Sequence, residues 1–215
     1  MNTLTSPATI PDSLSRQAYH VLENLIVTLK LAPGALVTEK QLIEAAGHGR
    51  TPVREAIQKL EWQGLIVVRP RIGLQITDIV ASDYAEIMEV RKRLEPLAAS
   101  LVAEHASAAQ RQKMIECAKD MSGAAATSDI EAFLTADKRF DDLMEEACPN
   151  RFVTGALGAL QTHSRRLWFS TASAEGMDRS VSLHVGIIRS IQNKDAAGAA
   201  AATEKLLHYL SELTP

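Results

Sequence analysis

The fold of the N-terminal part of the chain is decided by residues 31–78, which read LAPGALVTEKQLIEAAGHGRTPVREAIQKLEWQGLIVVRPRIGLQITD. This stretch predicts two helices separated by a short turn. Thr38 and Gln41 form a capping-box pattern at the start of the first helix, and Gly47 is a natural stop for it. Thr51 is the expected N-cap of the second helix, which begins only a few residues later. Two helices joined by a tight glycine-containing turn are typical of a helix-turn-helix.

Two β-type runs follow these helices and predict a hairpin. They lie at 65–68 and 74–77, and the segment 69–73 between them forms a tip with two projecting arginines. Apolar residues at helical spacing over 14–29 predict one further helix that precedes the other two. The sequence therefore predicts a winged helix-turn-helix of three helices and a two-stranded wing. In that arrangement a helix enters the major groove and the wing tip contacts backbone or minor groove.

The distribution of charge supports this interpretation. The formal net charge is −3, but residues 1–78 hold 8 Lys and Arg against 7 Asp and Glu, while residues 79–215 hold 15 against 19. Arg50 and Arg54 lie near the start of a predicted helix, where the helix dipole makes each cation unfavourable by roughly 0.3–1 kcal/mol. A phosphate or a guanine edge would reverse that penalty. The alternative is that both arginines are solvated surface charges, with Arg54 paired to a neighbouring acid.

Beyond Asp78 the sequence predicts an all-α antiparallel bundle. No convincing alternating strand pattern occurs there, and breakers such as Pro149-Asn150 separate the helical segments by short connections. Six helices are expected, at approximately 82–105, 108–127, 129–147, 151–170, 178–193 and 195–213. The predicted fold class is therefore mostly α, with a flexible tail at 1–13, a winged helix-turn-helix at 14–78 and an all-helical domain at 79–215.

Composition favours a globular cytoplasmic protein. Hydrophobic residues make up 46% and charged residues 23% of the chain, and no apolar run approaches the roughly 20 residues that a membrane helix needs. The N-terminal residues lack the positive charge and apolar stretch of a signal peptide. Cys117 and Cys148 form neither a CxxC pair nor a disulfide framework, so we expect two reduced thiols in the core.

Three polar residues of the C-terminal part fall on apolar helix faces. Asp137 and Asp141 are four residues apart on one such face, and His184 is flanked by apolar residues at helical spacing. Two carboxylates that face a core repel each other unless a cation or a donor neutralises them. Either a metal ion or a salt-bridged acid pair beside a hydrogen-bonded histidine would do so. Arg91 also points partly inward, where Glu95 one turn on could form an internal ion pair with it.

Residues 31–78 closely resemble the DNA-binding domain of GntR-type transcription regulators. The resemblance covers the Pro-Gly turn, the Arg-Thr-Pro-Val-Arg-Glu-Ala core, the Leu-Glu-x-x-Gly-Leu-Ile exit and the Pro-x-x-Gly wing. It implies that the DNA surface includes Lys40, Arg50, Thr51, Arg54, Arg69, Arg71 and Gly73. Arg50 and Arg54 would read bases, and the remaining residues would hold phosphate. Gly49 departs from the hydroxyl residue that is usual in the family, and His48 from a commonly aliphatic residue.

The C-terminal part is similar to the FCD-type ligand-binding domain of the FadR branch of these regulators. The similarity lies in EVRKRLEPLAASLVAEHA at 89–106 and DKRFDDLMEEACPN at 137–150. Such domains commonly bind a divalent metal through an Asp-x-x-x-His pair and two later histidines. The implied ligands of a Zn, Mn, Ni or Fe ion are Asp137, Asp141, His184 and His208, with His163 as a less favoured substitute. Asp141 replaces the usual histidine, which shifts the preference somewhat toward Mn or Fe.

The resemblance implies a function for the whole chain. We expect a ligand-responsive transcription regulator, a repressor that binds a short palindromic DNA operator as a homodimer. A small carboxylate effector would bind in the bundle near the metal, with Arg91 and, as a weaker candidate, Arg165 as its contacts. The alternatives are a DNA-binding protein without an effector and a metal-dependent hydrolase. No nucleophile elbow, phosphate loop or HExxH motif supports the hydrolase, so we predict no enzymatic activity.

Overall fold

The computed structural model describes residues 13–212 of the chain. These residues form two compact units, the first made of 13–26 and 30–78 and the second of 27–29 and 79–212. The predicted tail at 1–13 lies outside the described residues apart from Ser13. The first unit contains, in chain order, α1 (Leu14–Val27), β1 (Leu36–Val37), α2 (Glu39–Ala46), α3 (Arg50–Trp62), β2 (Ile66–Arg69) and β3 (Gly73–Ile76).

Helices α1, α2 and α3 pack around a small apolar core that also receives side chains from β2 and β3. Its fully buried members include Leu22, Leu42, Leu60 and Ile76. At the start of α2 the side chain of Thr38 accepts from the amide of Gln41 and the Gln41 side chain accepts from the amide of Thr38, as the capping-box pattern predicts. This cap fixes where α2 begins relative to the turn.

Helix α3 begins earlier than the sequence indicated. Its N-cap is Gly49 rather than Thr51, and no side chain caps it. Gly49 has no hydroxyl that could accept from the first-turn amides, so these donors stay available to another acceptor. The predicted N-cap role of Thr51 is therefore wrong, and Thr51 lies inside the first turn of the helix.

The wing has one strand more than predicted. Its antiparallel sheet has the order β1-β3-β2, with Val37 opposite Leu74 and Val67 opposite Gln75. Strand β1 has only two residues, too few for a period-2 pattern to be recognised in the sequence. The β2–β3 hairpin itself is confirmed. At its end, Gly73 has φ +136°, and an added Cβ would lie 3.1 Å from the carbonyl oxygen of Val37, so this position requires glycine.

The second unit is a bundle of six helices, as the breakers predicted. They are α4 (Ala81–His105), α5 (Ala108–Ala126), α6 (Ile130–Ala147), α7 (Arg151–Thr171), α8 (Ala174–Gln192) and α9 (Ala196–Glu212). Helix α4 packs against α7, α8 and α9, and α5 packs against α6 and α8. The aromatic rings of Phe133 and Trp168 stack at 5.1 Å in the core, which also contains the free thiols Cys117 and Cys148.

None of the helices within residues 13–212 is long and apolar enough to cross a membrane.

Candidate nucleic-acid interface and buried cavity

The start of α3 presents two arginines to solvent. The side chains of Arg50 and Arg54 are 73% and 58% exposed. Both lie in the first turns of α3, where the unpaired amides and the helix dipole already create a positive field. The uncapped Gly49 adds open donors at the same place. This end of α3 can therefore bind an anion through backbone and guanidinium groups together.

Glu39 of α2 neutralises part of this field in the free protein. Nε of Arg54 donates to both carboxylate oxygens of Glu39, at 3.0 and 2.9 Å. Nε of Arg50 lies 3.3 Å from the Oε1 atom of the same residue. The sequence interpretation allowed for an acid beside Arg54, and the structure identifies it. Because one carboxylate orients both guanidinium groups, Arg50 and Arg54 form a single cluster with Glu39.

The remaining predicted DNA-contacting residues lie on α2, α3 and the wing. Lys40 is 86% exposed and has Glu44 3.7 Å away, and Thr51 is exposed on α3. In the wing, Nε of Arg69 donates to Oε1 of Gln75 at 2.8 Å. Arg71 is exposed at the hairpin tip with φ +66°. All these residues, and Gly73 beside them, belong to the first unit.

A cavity lies inside the helical bundle and is lined by residues of α4, α6, α7, α8 and α9. Its volume is about 80 Å³, whereas a single water molecule needs about 10–15 Å³. The wall combines aromatic and aliphatic side chains with charged ones. The charged lining residues are Arg91, Glu95, Asp137, Asp141, Glu145, Arg165 and His184. The cavity thus has room for more than one water molecule, and its wall combines the apolar surface and the convergent polar groups that small-molecule sites use.

His184 is held between two acceptors. Its Nδ1 donates to the carbonyl oxygen of Ser180 at 2.8 Å, and its Nε2 lies 3.1 Å from Oδ1 of Asp137. Burial alone would lower the pKa of His184, but the hydrogen bond and the negative charge of Asp137 raise it above its usual value. Burial opposes ionisation of Asp137, yet His184 and then Arg165 lower its pKa. Each member of the pair thus favours the charged form of the other.

Arg165 lies between the two aspartates of α6. Its Nη1 donates to Oδ2 of Asp141 at 2.5 Å and lies 3.8 Å from Oδ2 of Asp137. Gln161 also donates to Asp141, at 3.3 Å. Burial and the charge of Asp137 raise the pKa of Asp141 to about 7, although Arg165 acts in the opposite direction. The salt-bridged acid pair beside a hydrogen-bonded histidine, one of the two sequence alternatives, is what the structure contains.

Arg91 forms the second ion pair of the cavity. Its Nε and Nη2 donate to the two carboxylate oxygens of Glu95 at 2.6 and 3.2 Å, and its Nη1 donates to the hydroxyl of Ser164 at 2.5 Å. Burial opposes the charge of Arg91, but Glu95 outweighs it and raises the pKa of Arg91. Arg91 therefore stays charged beside the empty volume, in the ion pair that the spacing to Glu95 suggested.

His208 lies away from this cavity. Its side chain is 76% exposed and has Glu212 3.3 Å away on the same helix. Leu206, two residues earlier, lines the cavity instead. Two residues rotate a helix position by about 200°, so a histidine at 208 faces the opposite side of α9. The structure thus brings Asp137, Asp141 and His184 together but leaves out the fourth predicted ligand, and the substitute His163 does not line the cavity either.

Two family models match the chain. The model described as "Bacterial regulatory proteins, gntR family" matches residues 14–76, and the FCD domain model matches residues 86–209. The chain belongs to the GntR family. This confirms the resemblance found in the sequence and the mostly helical fold, and the family and its named members are DNA-binding transcription regulators.

Similar proteins agree with this assignment. The uncharacterized HTH-type transcriptional regulator YdhC of Bacillus subtilis is 31% identical over 145 residues, which cover 66% of this chain and 63%, less than two thirds, of that relative. The HTH-type transcriptional repressor RspR of Escherichia coli is 24% identical over 93% of this chain and 88% of its own length. The solved structure of E. coli McbR/YncC has a TM-score of 0.80 at 18% identity and covers 94% of this chain and 97% of its own. That structural likeness concerns the fold.

The metal site implied by the FCD resemblance does not fit the residues of this GntR-family chain. Among residues 13–212, no group of three or more His, Cys, Asp or Glu side chains is arranged to hold a metal ion. Asp141 is engaged by Arg165, Nε2 of His184 by Asp137, and His208 faces solvent. The donors that a divalent ion needs are thus either occupied or absent from the cavity.

Sequence reasoning missed three residues of these sites. Glu39 is fifteen positions from Arg54 and on another helix, so no local spacing links them. Ser164 and Gln161 belong to α7, whose inward face the sequence did not define. Their polar side chains gave no signal, because the same residue types are common on exposed helix faces.

Proposed function

We propose that this GntR-family chain is a ligand-responsive repressor that binds a palindromic operator as a homodimer. The observation that carries the proposal is the charged cavity inside the helical bundle, where buried Arg91 and Arg165 adjoin a volume of about 80 Å³. The repressor assignment is supported by RspR, whose name describes a transcriptional repressor. A homodimer would present two α3 helices to two half-sites related by two-fold symmetry.

At the DNA, the cluster of Arg50 and Arg54 is suited to reading bases. Both guanidinium groups are exposed, and Glu39 orients both, so little conformational entropy remains to be lost on contact with a guanine edge. Lys40, Thr51 and the wing residues would then hold phosphate and fix the register. The phosphate contacts would make the affinity depend on salt.

In the cavity, the effector we propose is a small organic acid. A carboxylate can form a two-point pair with either guanidinium group. Both arginines are already paired with a carboxylate of the protein. The carboxylate of the acid would therefore replace Glu95 at Arg91 or Asp141 at Arg165. The exchange changes which side chains of α4, α6 and α7 are paired. A ligand that prefers one arrangement then shifts the population between states of different operator affinity.

The test is direct measurement of ligand binding. The full chain would be screened by thermal denaturation against a panel of mono-, di- and hydroxycarboxylic acids, and each acid that raises Tm would be titrated by calorimetry. We expect at least one acid to bind. We expect its affinity to fall at least about tenfold in Arg165→Gln or Ser164→Ala, because one charge-assisted contact, or the residue that positions Arg91, is lost.

The matched control is Arg189→Gln, which removes an exposed arginine of α8 that does not line the cavity. It should bind the same acid with unchanged affinity. If no acid of the panel binds, or if all three variants bind equally well, the proposed effector site is wrong.

A further inference from the structure

We propose that the cavity of this chain holds its ligand without a metal ion, and that the guanidinium group of Arg165 supplies the positive charge that a divalent ion would otherwise provide between Asp137 and Asp141. The inference rests on the proposed function, in which the cavity is the effector site. It concerns how the ligand is held, and four features of the cavity support it.

The first feature is the position of Arg165. Its side chain is only 8% exposed, and its Nη1 lies 2.5 Å from Asp141 and 3.8 Å from Asp137. Nη2 donates to the hydroxyl of Thr162 at 3.3 Å, which helps to fix the guanidinium plane. The two carboxylates that would be the oxygen ligands of an ion therefore already face one buried cation, and a second cation would have to displace it.

The second feature is the state of His184. A metal ion binds the lone pair of a neutral imidazole nitrogen. Here Nδ1 donates to the Ser180 carbonyl oxygen and Nε2 lies 3.1 Å from a carboxylate oxygen of Asp137, so both ring nitrogens already have a polar partner. A metal would have to displace Asp137 from Nε2.

The third feature is the charge balance of the buried network. Three buried basic side chains, those of Arg91, Arg165 and His184, each lie beside one carboxyl group, that of Glu95, Asp141 and Asp137 respectively. Glu145 lies at the rim, where its side chain is exposed to solvent. Each of these buried carboxyl groups thus already has a basic partner. A divalent ion would add two charges with no unpaired carboxyl group of this network to balance them, and such a charge is costly in a low-dielectric interior.

The fourth feature is that α9 presents an apolar side chain to the cavity where a metal-ligating side chain would be needed. Leu206 lines the cavity at the position from which α9 could contribute a ligand, and His208 points to solvent. With Leu206 there, the only residue of α9 with a polar side-chain group on the cavity wall is Thr203, whose hydroxyl donates to the carbonyl oxygen of Ala199. Helix α9 therefore offers the cavity no imidazole or carboxylate.

These features define what the ligand meets. An organic acid entering the cavity would contact guanidinium groups, the Ser164 hydroxyl and aromatic walls rather than a metal ion. Two-point pairing with Arg165 in place of Asp141 would be the main polar contact, and the ligand would need a carboxylate that can lie flat against the guanidinium plane.

The test uses the metal alone as probe. Tag-free full-length protein would be dialysed against ZnCl2, MnCl2 and NiCl2 in turn, and bound metal would be measured by plasma mass spectrometry. We expect far less than one ion per chain for the wild type and the same residual amount for His184→Ala. One ion per chain in the wild type that disappears in His184→Ala and persists in the exposed-residue control His105→Ala would overturn the proposal.

A second measurement tests the role of Arg165. In Arg165→Met, Asp137 and Asp141 lose their shared cation, so we expect Zn or Mn ions to raise Tm by several degrees in this variant and not in the wild type. If the folded variant gains no stabilisation from either ion, Arg165 is not the group that takes the place of the metal. If Arg165→Met does not fold, Arg165→Gln takes its place in this measurement, because it also removes the charge but keeps a polar head group.

The outcome is separable from that of the proposed function. Absence of metal uptake together with acid binding supports both proposals. Absence of metal uptake without any acid binding removes the proposed effector and leaves only the role of Arg165 in place of a metal ion between Asp137 and Asp141.

Discussion

Arg54 and Glu39 form an ion pair between the two helices of the helix-turn-helix, in which Nε of Arg54 lies 2.9 and 3.0 Å from the two carboxylate oxygens. Arg50 lies 3.3 Å from the same carboxylate. The acid reduces the local positive charge and at the same time fixes the direction of both guanidinium groups. The fixed direction of the guanidinium groups favours sequence-specific binding. The reduced positive charge weakens non-specific binding.

Glu39→Gln should therefore lower specificity rather than abolish DNA binding. Without the carboxylate, the guanidinium groups are more mobile and the surface is more positive. We expect affinity for unrelated duplex DNA to rise and affinity for a duplex selected by the wild-type chain from a random pool to fall. The ratio of specific to non-specific affinity should then drop by roughly tenfold. Fluorescence anisotropy with both duplexes would measure this ratio. Glu61→Gln, an exposed acid at the other end of α3, should leave the ratio unchanged, and an equal ratio in both variants would contradict the orienting role.

Asp141 gives the stability of the bundle a defined pH dependence. Its pKa is raised to about 7 in the folded chain, above the value of about 3.9 in an unfolded chain. Between these values the folded state binds more protons than the unfolded state, so this group makes stability fall as pH rises from about 4 to about 7. Asp141→Asn removes the effect.

The free energy of unfolding of Asp141→Asn should accordingly improve relative to the wild type between pH 5 and pH 8, by on the order of 2 kcal/mol. Urea denaturation at the two pH values would measure the change. Asp142→Asn serves as the control, because it removes a carboxylate from the same helix at a half-buried position that pairs with Lys138 and does not line the cavity. A constant difference between Asp141→Asn and wild type across this range would show that Asp141 is ionised throughout.

Gly73 and Gly123 should respond in opposite directions to the same substitution. At Gly73, φ is +136° and a Cβ would lie 3.1 Å from the Val37 carbonyl oxygen, whereas a Cβ at Gly123 would meet nothing within 4 Å inside α5. Gly73→Ala should cost about 1–3 kcal/mol through backbone strain, and Gly123→Ala should stabilise by about 0.5–1 kcal/mol. Thermal denaturation of both variants checks this, and a neutral Gly73→Ala would refute the strained geometry of the wing.

Arg111 supports the bundle through backbone acceptors. It is buried, and its guanidinium group donates to the carbonyl oxygens of Ala103 and Ala106 at 3.1 and 3.0 Å and also to that of Ile191. These carbonyls lie at the ends of α4 and α8, where the helix dipoles favour a cation. Arg111→Met should destabilise the chain by about 2 kcal/mol or more, since charged hydrogen bonds are lost. Lys113→Met, an exposed neighbour on α5, should change stability by less than about 0.5 kcal/mol.

Much of the fold could be predicted from the sequence because the residues that start and end the helices act locally. Caps such as Thr38 and stops such as Gly47 act within one helical turn, and the helix periodicity places Asp137, Asp141 and His184 on inward faces. The start of α3 differs from the prediction because Thr51 is a favoured N-cap residue type, whereas the cap in the structure, Gly49, has no side chain that could mark it.

The composition of the cavity depends on contacts across the fold and was only partly predictable. The pair of Arg91 and Glu95 is four residues apart on one helix and could be anticipated. The pairing of Arg165 with Asp141 joins two helices, so spacing could not identify it. The position of His208 depends on the rotation of α9, in which an offset of two residues reverses the face.

We propose that a ligand in the helical bundle controls DNA binding by the helix-turn-helix, and this control can be measured on a single duplex. A duplex selected by the wild-type chain from a random pool would be titrated at fixed salt, with and without a saturating amount of the acid that gives the largest rise in Tm. We expect at least a tenfold change in the Kd for the duplex in the wild type and little or no change in Arg165→Gln. Identical affinities with and without the acid, in a wild-type chain shown by calorimetry to have bound it, would show that the ligand does not control DNA binding.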